Sequence, residues 1–283
     1  MKTVCLDAGH ITGANTCPCV FGYSEGTQMW LLHEMLGKAL EEKYSDVKVT
    51  YTRSYPTQNL REDGKEDVYE RGLMGHGADL FLSLHSNASN GDSLHPAHCD
   101  DINFVYVICP YDNINNSANI GKFIAQQVDE ALCETESVLS SPRTNIRVGS
   151  QGEWYGVLRG ARAAGVPLYF IIEHGFHTNE LNAKALLDPQ NLTNIAIAEA
   201  EMIGAILHLT PREYVKGDIN GDGKLTSVDY AMLKRYILGT YTLTKEQLER
   251  ADITGDGHIT SKDYAMLKRI ILGTYPYPKE EKK

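Results

Sequence analysis

Four side chains with metal-binding or acid–base chemistry stand beside apolar segments of the sequence. Three of them follow short apolar runs typical of β-strands and the fourth opens a helical pattern, and they are His10, His85, Glu173 and Glu25. Two imidazoles and one carboxylate form a donor set that holds a catalytic Zn²⁺ and leaves coordination positions open for water and substrate. The residue types therefore predict a hydrolytic zinc site with one further carboxylate beside it.

Each of these residues also has a purely structural explanation. A lone histidine at the end of a strand is usually a hydrogen-bonded structural residue, and Glu25 could simply favour the dipole at a helix start. Glu173 is harder to explain in this way, because a carboxylate that ends an apolar strand is costly unless a charge, a metal or hydrogen bonds compensate it. The joint placement of the four side chains favours the metal site.

The elements that must position these side chains follow from the apolar pattern. Strands are predicted at residues 3–6, 47–52, 80–84, 104–109 and 168–172, and helices at residues 26–44, 68–75, 118–133, 154–164 and 192–209. This alternation predicts an α/β domain with a twisted, mostly parallel sheet flanked by helices. Because the carboxyl ends of parallel strands share one crevice, we expect His10, His85 and Glu173 to project into it. Glu25 would reach the same crevice from its loop.

The last quarter of the chain contains an internal repeat. Residues 217–241 recur as residues 251–275, with 19 of the 25 aligned positions identical. Oxygen-bearing side chains at alternate positions, with glycine at the sixth, form the pattern of a calcium loop. Two structural Ca²⁺ ions are therefore predicted, one bound by Asp218, Asn220, Asp222, Lys224 and Asp229 and the other by Asp252, Thr254, Asp256, His258 and Asp263, with Lys224 and His258 binding through backbone oxygens. The second site is expected to be weaker or to use water, because Thr254 replaces Asn220.

The pattern divides the chain into a catalytic domain at 1–210, a linker at 211–216, a calcium-binding module at 217–276 and a charged tail at 277–283. The chain has 27 basic and 37 acidic residues, and its first 215 positions, which include the predicted catalytic domain, hold 15 of the basic and 27 of the acidic ones. An acidic catalytic domain argues against nucleic acid as substrate, since Lys and Arg supply most of that affinity. No apolar run reaches the ~18 residues of a membrane helix, so no membrane insertion is expected.

The motifs around the four residues resemble the zinc amidases of the amidase-3 type, which cleave the bond between N-acetylmuramic acid and L-alanine in peptidoglycan. The resemblance spans nearly all of residues 1–209 and rests on LDAGH (6–10), Glu25, Arg53, Arg71, DLFLSLHSNA (79–88) and IEHGFHTN (172–179). It implies that His10, Glu25 and His85 hold zinc and that Glu173 is the catalytic acid/base. Zinc would supply a Lewis acid, and Glu173 would move the protons.

Residues 216–276 resemble a dockerin, a small all-α module of two loop–helix repeats. The resemblance rests on the Asp at loop position 12 and on the absence of a helix entering each loop. It implies binding of a cohesin-type protein through the helix faces, and the near identity of the halves also suits two-fold-related contacts or self-association. The partner-binding residues would be Ser227, Val228, Lys234, Arg235, Ser261, Lys262, Lys268 and Arg269.

Two contexts and two other functions remain open at this stage. The first predicted strand begins at the first residues without the segments of a secretory signal, so we expect synthesis in the cytoplasm and action at the bacterial cell wall, as in a phage endolysin. A dockerin instead suggests an extracellular assembly at a cell surface. The other functions are a zinc peptidase acting on stem peptides and a non-catalytic wall-binding or scaffold-docking protein.

The cysteines and the remaining histidines leave alternatives at the metal site. Six cysteines lack the density of a disulfide scaffold, so free thiols are expected. Cys17 and Cys19 could hold zinc as thiolates, and a loop with two histidines and a cysteine (His95, His98, Cys99) could form a second site. His177 could contact substrate or simply pack.

Overall fold

In a computed structural model, the chain divides into two units, Met1–Pro211 and Arg212–Lys283. The structure describes residues 1–89, 102–133, 141–150, 152–212 and 215–275. His95, His98 and Cys99, as well as the predicted tail, lie outside these ranges. Within them, no helix combines the length and the apolar character that crossing a membrane requires.

The first unit is built on a central β-sheet. Its strands are β1 (Lys2–Ala8), β2 (Val47–Tyr51), β3 (Leu80–Asn87), β4 (Tyr106–Ile108), β5 (Arg143–Asn145) and β8 (Tyr169–Phe176), and a separate hairpin is formed by β6 (Val148–Gly149) and β7 (Gly152–Glu153). The sheet order is β2-β1-β3-β8-β4-β5. Among the described strands of this sheet, β4 and β8 form the one antiparallel pair, which confirms the predicted mostly parallel sheet. Strands β5, β6 and β7 were not predicted.

Helices cover both faces of this sheet. They are α1 (Glu25–Lys43), α2 (Val68–Leu73), α3 (Ser117–Cys133), α4 (Gly156–Ala163), α5 (Glu180–Leu187) and α6 (Pro189–Leu207). Leu6 and Leu82 share a buried core with α1, α3 and α6, whereas Cys5 and Phe81 point to the opposite face, towards α4. Helix α2 packs against α4. Because side chains alternate along a strand, every second residue of β1, β3 and β8 faces the α4 side.

The second unit contains three helices among its described residues, α7 (Ser227–Ile237), α8 (Lys245–Ala251) and α9 (Ser261–Ile271). A loop precedes α7 and a matching loop precedes α9, and in each case a threonine caps the helix in a reciprocal capping box. The buried core joins both repeats through Ile219, Leu233, Leu243, Ala251, Ile253 and Leu267. The all-α module is confirmed, and α8 is an addition to the predicted pattern.

Candidate active site

Three predicted zinc ligands come together at one place in the fold. They are His10, which follows β1, Glu25 at the start of α1, and His85 on β3. One ligand atom from each residue lies within 4.8 Å of the other two, and no other His, Cys, Asp or Glu cluster of this kind occurs in the described parts of the chain. His85 Nδ1 is 2.9 Å from Glu25 Oε1, and His10 Nε2 is 3.6 Å from Glu25 Oε2. Two imidazole nitrogens and a carboxylate oxygen suit zinc, so the residues present fit the ion.

The backbone around Gly9 allows this close approach. A Cβ atom at Gly9 would overlap the His85 ring, and one at Gly26 would overlap the Ile11 carbonyl. His10 itself adopts a left-handed conformation with φ of 56°, which is uncommon for a residue with a side chain. The chain therefore turns sharply after β1 at the position where His10 must meet Glu25.

Two buried arginines hold this turn. The Arg53 guanidinium donates to the His10 carbonyl oxygen at 2.6 Å, and Arg71 Nη1 donates to the Ala8 carbonyl oxygen at 2.9 Å. Arg71 also forms an ion pair with the buried Asp7 at 3.3 Å. The arginines that carried part of the sequence resemblance thus lie beneath the site and position its backbone.

Glu25 is the first residue of α1, directly after the N-cap Ser24. Its carboxylate accepts hydrogen bonds from Asn15 Nδ2 at 2.7 Å and from the Ser86 amide at 3.0 Å. Burial by itself raises the pKa of Glu25, but His85, His10 and Asn15 outweigh it and lower the pKa to about 2. Glu25 is therefore ionised at neutral pH, as a metal ligand must be.

Hydrogen bonds that run from His85 through Ser83 to Asp7 orient the His85 ring. His85 Nε2 lies 3.1 Å from Ser83 Oγ, and Ser83 Oγ donates to Asp7 Oδ2 at 2.6 Å. Since the serine hydroxyl has one proton and gives it to Asp7, it accepts from Nε2–H of His85. This assignment leaves Nδ1, the atom that faces Glu25, free to bind a metal.

Glu173 lies on β8 in register with His85 on β3. Its Oε2 atom is buried and has no hydrogen-bond partner among the described residues. Burial raises the pKa of Glu173 to about 7, and the Glu25 charge adds to the rise while His85 opposes it. A carboxyl group with this pKa can both accept and release a proton near neutral pH.

The sequence prediction that His85 and Glu173 end their strands is wrong. Strand β3 continues to Asn87 and β8 continues to Phe176. The reason is that the polar and glycine residues after both side chains stay paired, with an irregularity in the register between His85 and Asn87. Both functional side chains are therefore held inside strands.

Three further polar residues surround the site, and of these only His177 had been named from the sequence, without a role. His174 Nδ1 lies 2.9 Å from the His85 carbonyl oxygen, and its Nε2 lies 2.7 Å from Glu199 Oε1, with both side chains buried. His177 Nδ1 lies 2.9 Å from the Ser86 carbonyl oxygen. Glu199 carried a readable signal, since it interrupts the apolar face of a helix.

The alternative zinc site at Cys17 and Cys19 is wrong. Cys19 is disulfide-bonded, so it offers no thiolate, and the Cys17 sulfur accepts hydrogen bonds from the Cys19 and Val20 amides. The expectation of free thiols is also wrong for Cys19, although Cys5, Cys17, Cys109 and Cys133 are free. A covalent cross-link at Cys19 could not be read from spacing.

The two predicted calcium loops of the second unit have matching geometry. In the first loop the Asp218 carboxylate accepts from the amides of Gly221, Asp222 and Gly223, and in the second Asp252 accepts from Gly255, Asp256 and Gly257. The last carboxylates close each loop by accepting two backbone amides, those of Asn220 and Thr226 at Asp229 and those of Thr254 and Thr260 at Asp263. Asn220 Nδ2 and Asp222 Oδ2 are 2.9 Å apart. The oxygen-rich loops suit Ca²⁺.

The proposed partner-binding residues lie on α7 and α9. All eight are exposed, namely Ser227, Val228, Lys234, Arg235, Ser261, Lys262, Lys268 and Arg269. The two repeats meet through Tyr230 and Tyr264, whose rings stack at 4.1 Å between centroids. The exposed side chains occupy equivalent positions in α7 and α9, so either helix could present them to a partner.

Comparison with known proteins places both units. Residues 4–205 match the family model described as N-acetylmuramoyl-L-alanine amidase, and residues 216–272 match the dockerin type I domain. The comparison with curated proteins gives no match.

Two similar solved structures illustrate the fold of the first unit. The catalytic domain of CwlV, an N-acetylmuramoyl-L-alanine amidase from Bacillus (Paenibacillus) polymyxa var. colistinus, is 17% identical with a TM-score of 0.55, and the alignment covers 74% of this chain and 100% of that one. The CwlD amidase from Clostridioides difficile, solved in complex with the GerS lipoprotein, is 21% identical with a TM-score of 0.54, covering 74% and 99%. At these identities the likeness shows a shared fold.

Proposed function

The chain belongs to the N-acetylmuramoyl-L-alanine amidase family and carries a dockerin type I domain, and we propose that it is a zinc-dependent hydrolase of the muramoyl–L-alanine bond in peptidoglycan. The observation that carries the proposal is the position of Glu173. Its carboxyl group, of which the Oε2 atom is buried, stands in register with His85, beside the cluster of His10, Glu25 and His85. An acid/base next to a zinc donor set is the arrangement that amide hydrolysis requires.

In this proposal His10, Glu25 and His85 hold the zinc ion. When bound, zinc supplies a Lewis acid for the scissile carbonyl and lowers the pKa of a water molecule. Glu173 accepts a proton from the attacking water and then donates it to the departing alanine nitrogen, which is a poor leaving group until it is protonated. The pKa of about 7 suits Glu173 to both transfers.

The site favours catalysis over a non-catalytic wall-binding role. A buried carboxyl oxygen without a hydrogen-bond partner, such as Glu173 Oε2 in the described structure, is costly. In a protein that only binds cell wall, this unpaired oxygen would destabilise the fold without serving a function. A zinc peptidase acting on stem peptides would use the same residues, so only the bond that is cut separates it from an amidase.

We also propose that the dockerin domain binds Ca²⁺ in both loops and docks the enzyme to a cohesin-type protein. The matched loop geometry and the exposed residues of α7 and α9 support this. The Cys19 disulfide is typical of proteins in oxidising compartments, which suits an assembly at a cell surface. The phage-endolysin role stays a prediction, and retention on immobilised cohesins in calcium but not in a calcium chelator would favour docking over it.

Release of dye from labelled, purified cell walls tests the hydrolytic proposal. We expect the full chain to release dye, a strong zinc chelator to stop the release, and added zinc to restore it. Full activity of protein shown by elemental analysis to lack metal would refute the role given to His10, Glu25 and His85.

A further inference from the structure

We propose that a surface formed by Tyr106, Arg147, Trp154 and Tyr155 binds the stem peptide on the leaving-group side of the scissile bond and recognises a carboxylate of that peptide. The inference rests on the proposed function, since it names how the substrate of the same site is oriented. It concerns residues outside the motifs of the metal cluster.

The first step is a row of side chains across three strands. His85 on β3 pairs in register with Glu173 on β8, and Glu173 pairs in register with Tyr106 on β4. Residues directly opposite each other on neighbouring strands project from the same face of a sheet. Tyr106 therefore follows Glu173 on the side away from the metal ligands.

The second step is the direction of the substrate. Glu173 must reach the alanine nitrogen that leaves, while the carbonyl of the same bond lies towards the metal ligands. The leaving peptide therefore extends past Glu173, away from His85 and over Tyr106. The glycan side of the bond lies in the other direction.

The third step is what stands beyond Tyr106. The Arg147 Cζ atom lies 5.4 Å from the centroid of the Trp154 ring and 6.0 Å from the centroid of the Tyr155 ring. Arg147 Nη1 also donates a hydrogen bond to Tyr155 Oη at 3.3 Å. Arg147 is exposed, and 55% of Trp154 is exposed. Strand β5 begins at Arg143, in register with Tyr106 on β4, and ends two residues before Arg147.

The chemistry of this surface suits an acidic peptide. A guanidinium group held over aromatic rings is pre-oriented to bind a carboxylate with two parallel hydrogen bonds. The first 215 residues hold 27 acidic and 15 basic groups, so an anionic peptide needs a local cation to approach this domain. The neighbouring Glu153 does not compete, since it is buried and accepts from Tyr169 Oη and the Tyr111 amide.

The reach of the peptide also fits. Where the second residue of a peptidoglycan stem is D-glutamate linked through its γ-carboxyl group, its free α-carboxylate lies about 7 Å from the scissile nitrogen. Two strand spacings separate β8 from β5, the strand that leads to Arg147, which is about 10 Å. A carboxylate at the second residue can therefore meet the Arg147 side chain.

Two soluble substrates that both keep the γ-carboxylate and differ only in the α-carboxylate of the second residue test the proposal, namely muramoyl-L-alanyl-D-glutamate and muramoyl-L-alanyl-D-isoglutamine. For Arg147→Gln we expect the KM on the glutamate substrate to rise about fivefold to tenfold, between the effects of an exposed ion pair and of a charged hydrogen bond. The kcat should stay within about twofold, and the KM on the amide substrate should not change. The KM of Arg147→Lys on the glutamate substrate should lie between those of wild type and Arg147→Gln, because lysine keeps the charge but cannot make two parallel hydrogen bonds.

The control is Lys122→Gln, which removes an exposed charge from α3 on the opposite face of the sheet and should change neither KM. Equal effects of Arg147→Gln on both substrates, or no effect on either, would overturn the carboxylate contact while leaving the amidase proposal intact. Wild-type protein that releases alanine-terminated peptide from neither substrate, yet cuts cell walls at another bond, would overturn the proposed function and this inference with it.

Discussion

Glu173 stands directly opposite His85 where β8 and β3 pair in parallel. Backbone hydrogen bonds between two strands, rather than a loop, therefore set the separation between the candidate acid/base and a candidate metal ligand. The same register places Tyr106 on the other side of Glu173. The sheet thus places along one line the residues proposed for metal binding, for proton transfer and for peptide binding.

Replacing Glu173 by Gln should remove proton transfer while keeping the shape of the side chain. We expect turnover of purified walls to fall by about 10²- to 10⁴-fold, with zinc still bound at one ion per chain by elemental analysis. Because the zinc content reports an intact cluster, loss of activity together with loss of zinc would point to misfolding instead. Wild-type turnover in this variant would contradict the role of Glu173.

Replacing Ser83 by Ala should weaken zinc binding, because His85 loses the group that orients its ring. Partners of metal ligands typically contribute about 10- to 100-fold in affinity, so competition with a chromogenic chelator should show a loss in this range. Ser117→Ala is the matched control, since Ser117 is a buried serine on α3 whose hydroxyl has no partner among the described residues. Equal zinc affinity in the two variants would show that the Ser83 contact does not matter.

Replacing Asp7 by Asn should cost stability in a way that depends on pH. Burial by itself raises the pKa of Asp7, but Arg71 and the hydroxyls of Ser83 and Thr52 outweigh it and hold the pKa below its usual 3.8. The ionised form therefore stabilises the fold above about pH 4, and this contribution disappears as the pH falls through the folded-state pKa.

Urea unfolding of wild type and of Asp7→Asn measures this difference. Breaking a buried ion pair typically costs about 3–5 kcal/mol, so the free energy of unfolding should drop by about that amount at pH 7. The gap between the two proteins should narrow towards pH 3. A gap that is the same at both pH values would mean that Asp7 is not ionised in the folded protein.

Removing calcium should destabilise the second unit alone. Six loop aspartates lose their compensating charge, namely Asp218, Asp222, Asp229, Asp252, Asp256 and Asp263, so folding and calcium binding are linked. In calorimetry of the full chain with zinc supplied throughout, adding calcium at about 1,000 times its Kd should stabilise one transition by about 4 kcal/mol for each bound ion, and so by about 8 kcal/mol for the two loops. The transition of the first unit should stay where it is, and identical scans with and without calcium would argue against bound calcium.

Much of the fold was readable from the sequence, and the misses have physical reasons. The long apolar runs of β1, β3 and β8 predicted the sheet because each is buried on both faces. Strands β5, β6 and β7 have two or three residues each and little apolar content, so no periodicity marks them. Helix α8 did carry a signal, the capping box of Thr244 and Gln247, but it lies between the repeated segments.

The candidate active site was likewise predictable only in part. His10, Glu25, His85 and Glu173 were predicted as a group, because their residue types and positions beside apolar runs are specific. The contact between Asp7 and Ser83 joins residues 76 positions apart in the chain, and the place of Arg147 beyond Tyr106 follows from the pairing of β4 with β5. Such contacts depend on strand order and register, which local pattern does not determine.

Mass spectrometry of the fragments that the zinc-supplied full chain releases from purified cell walls tests the central claim most directly. The account predicts stem peptides with a free N-terminal alanine, together with glycan whose muramic acid carries an unsubstituted lactyl carboxylate. Glycan that still carries alanine, with peptides that begin at a later residue, would contradict it.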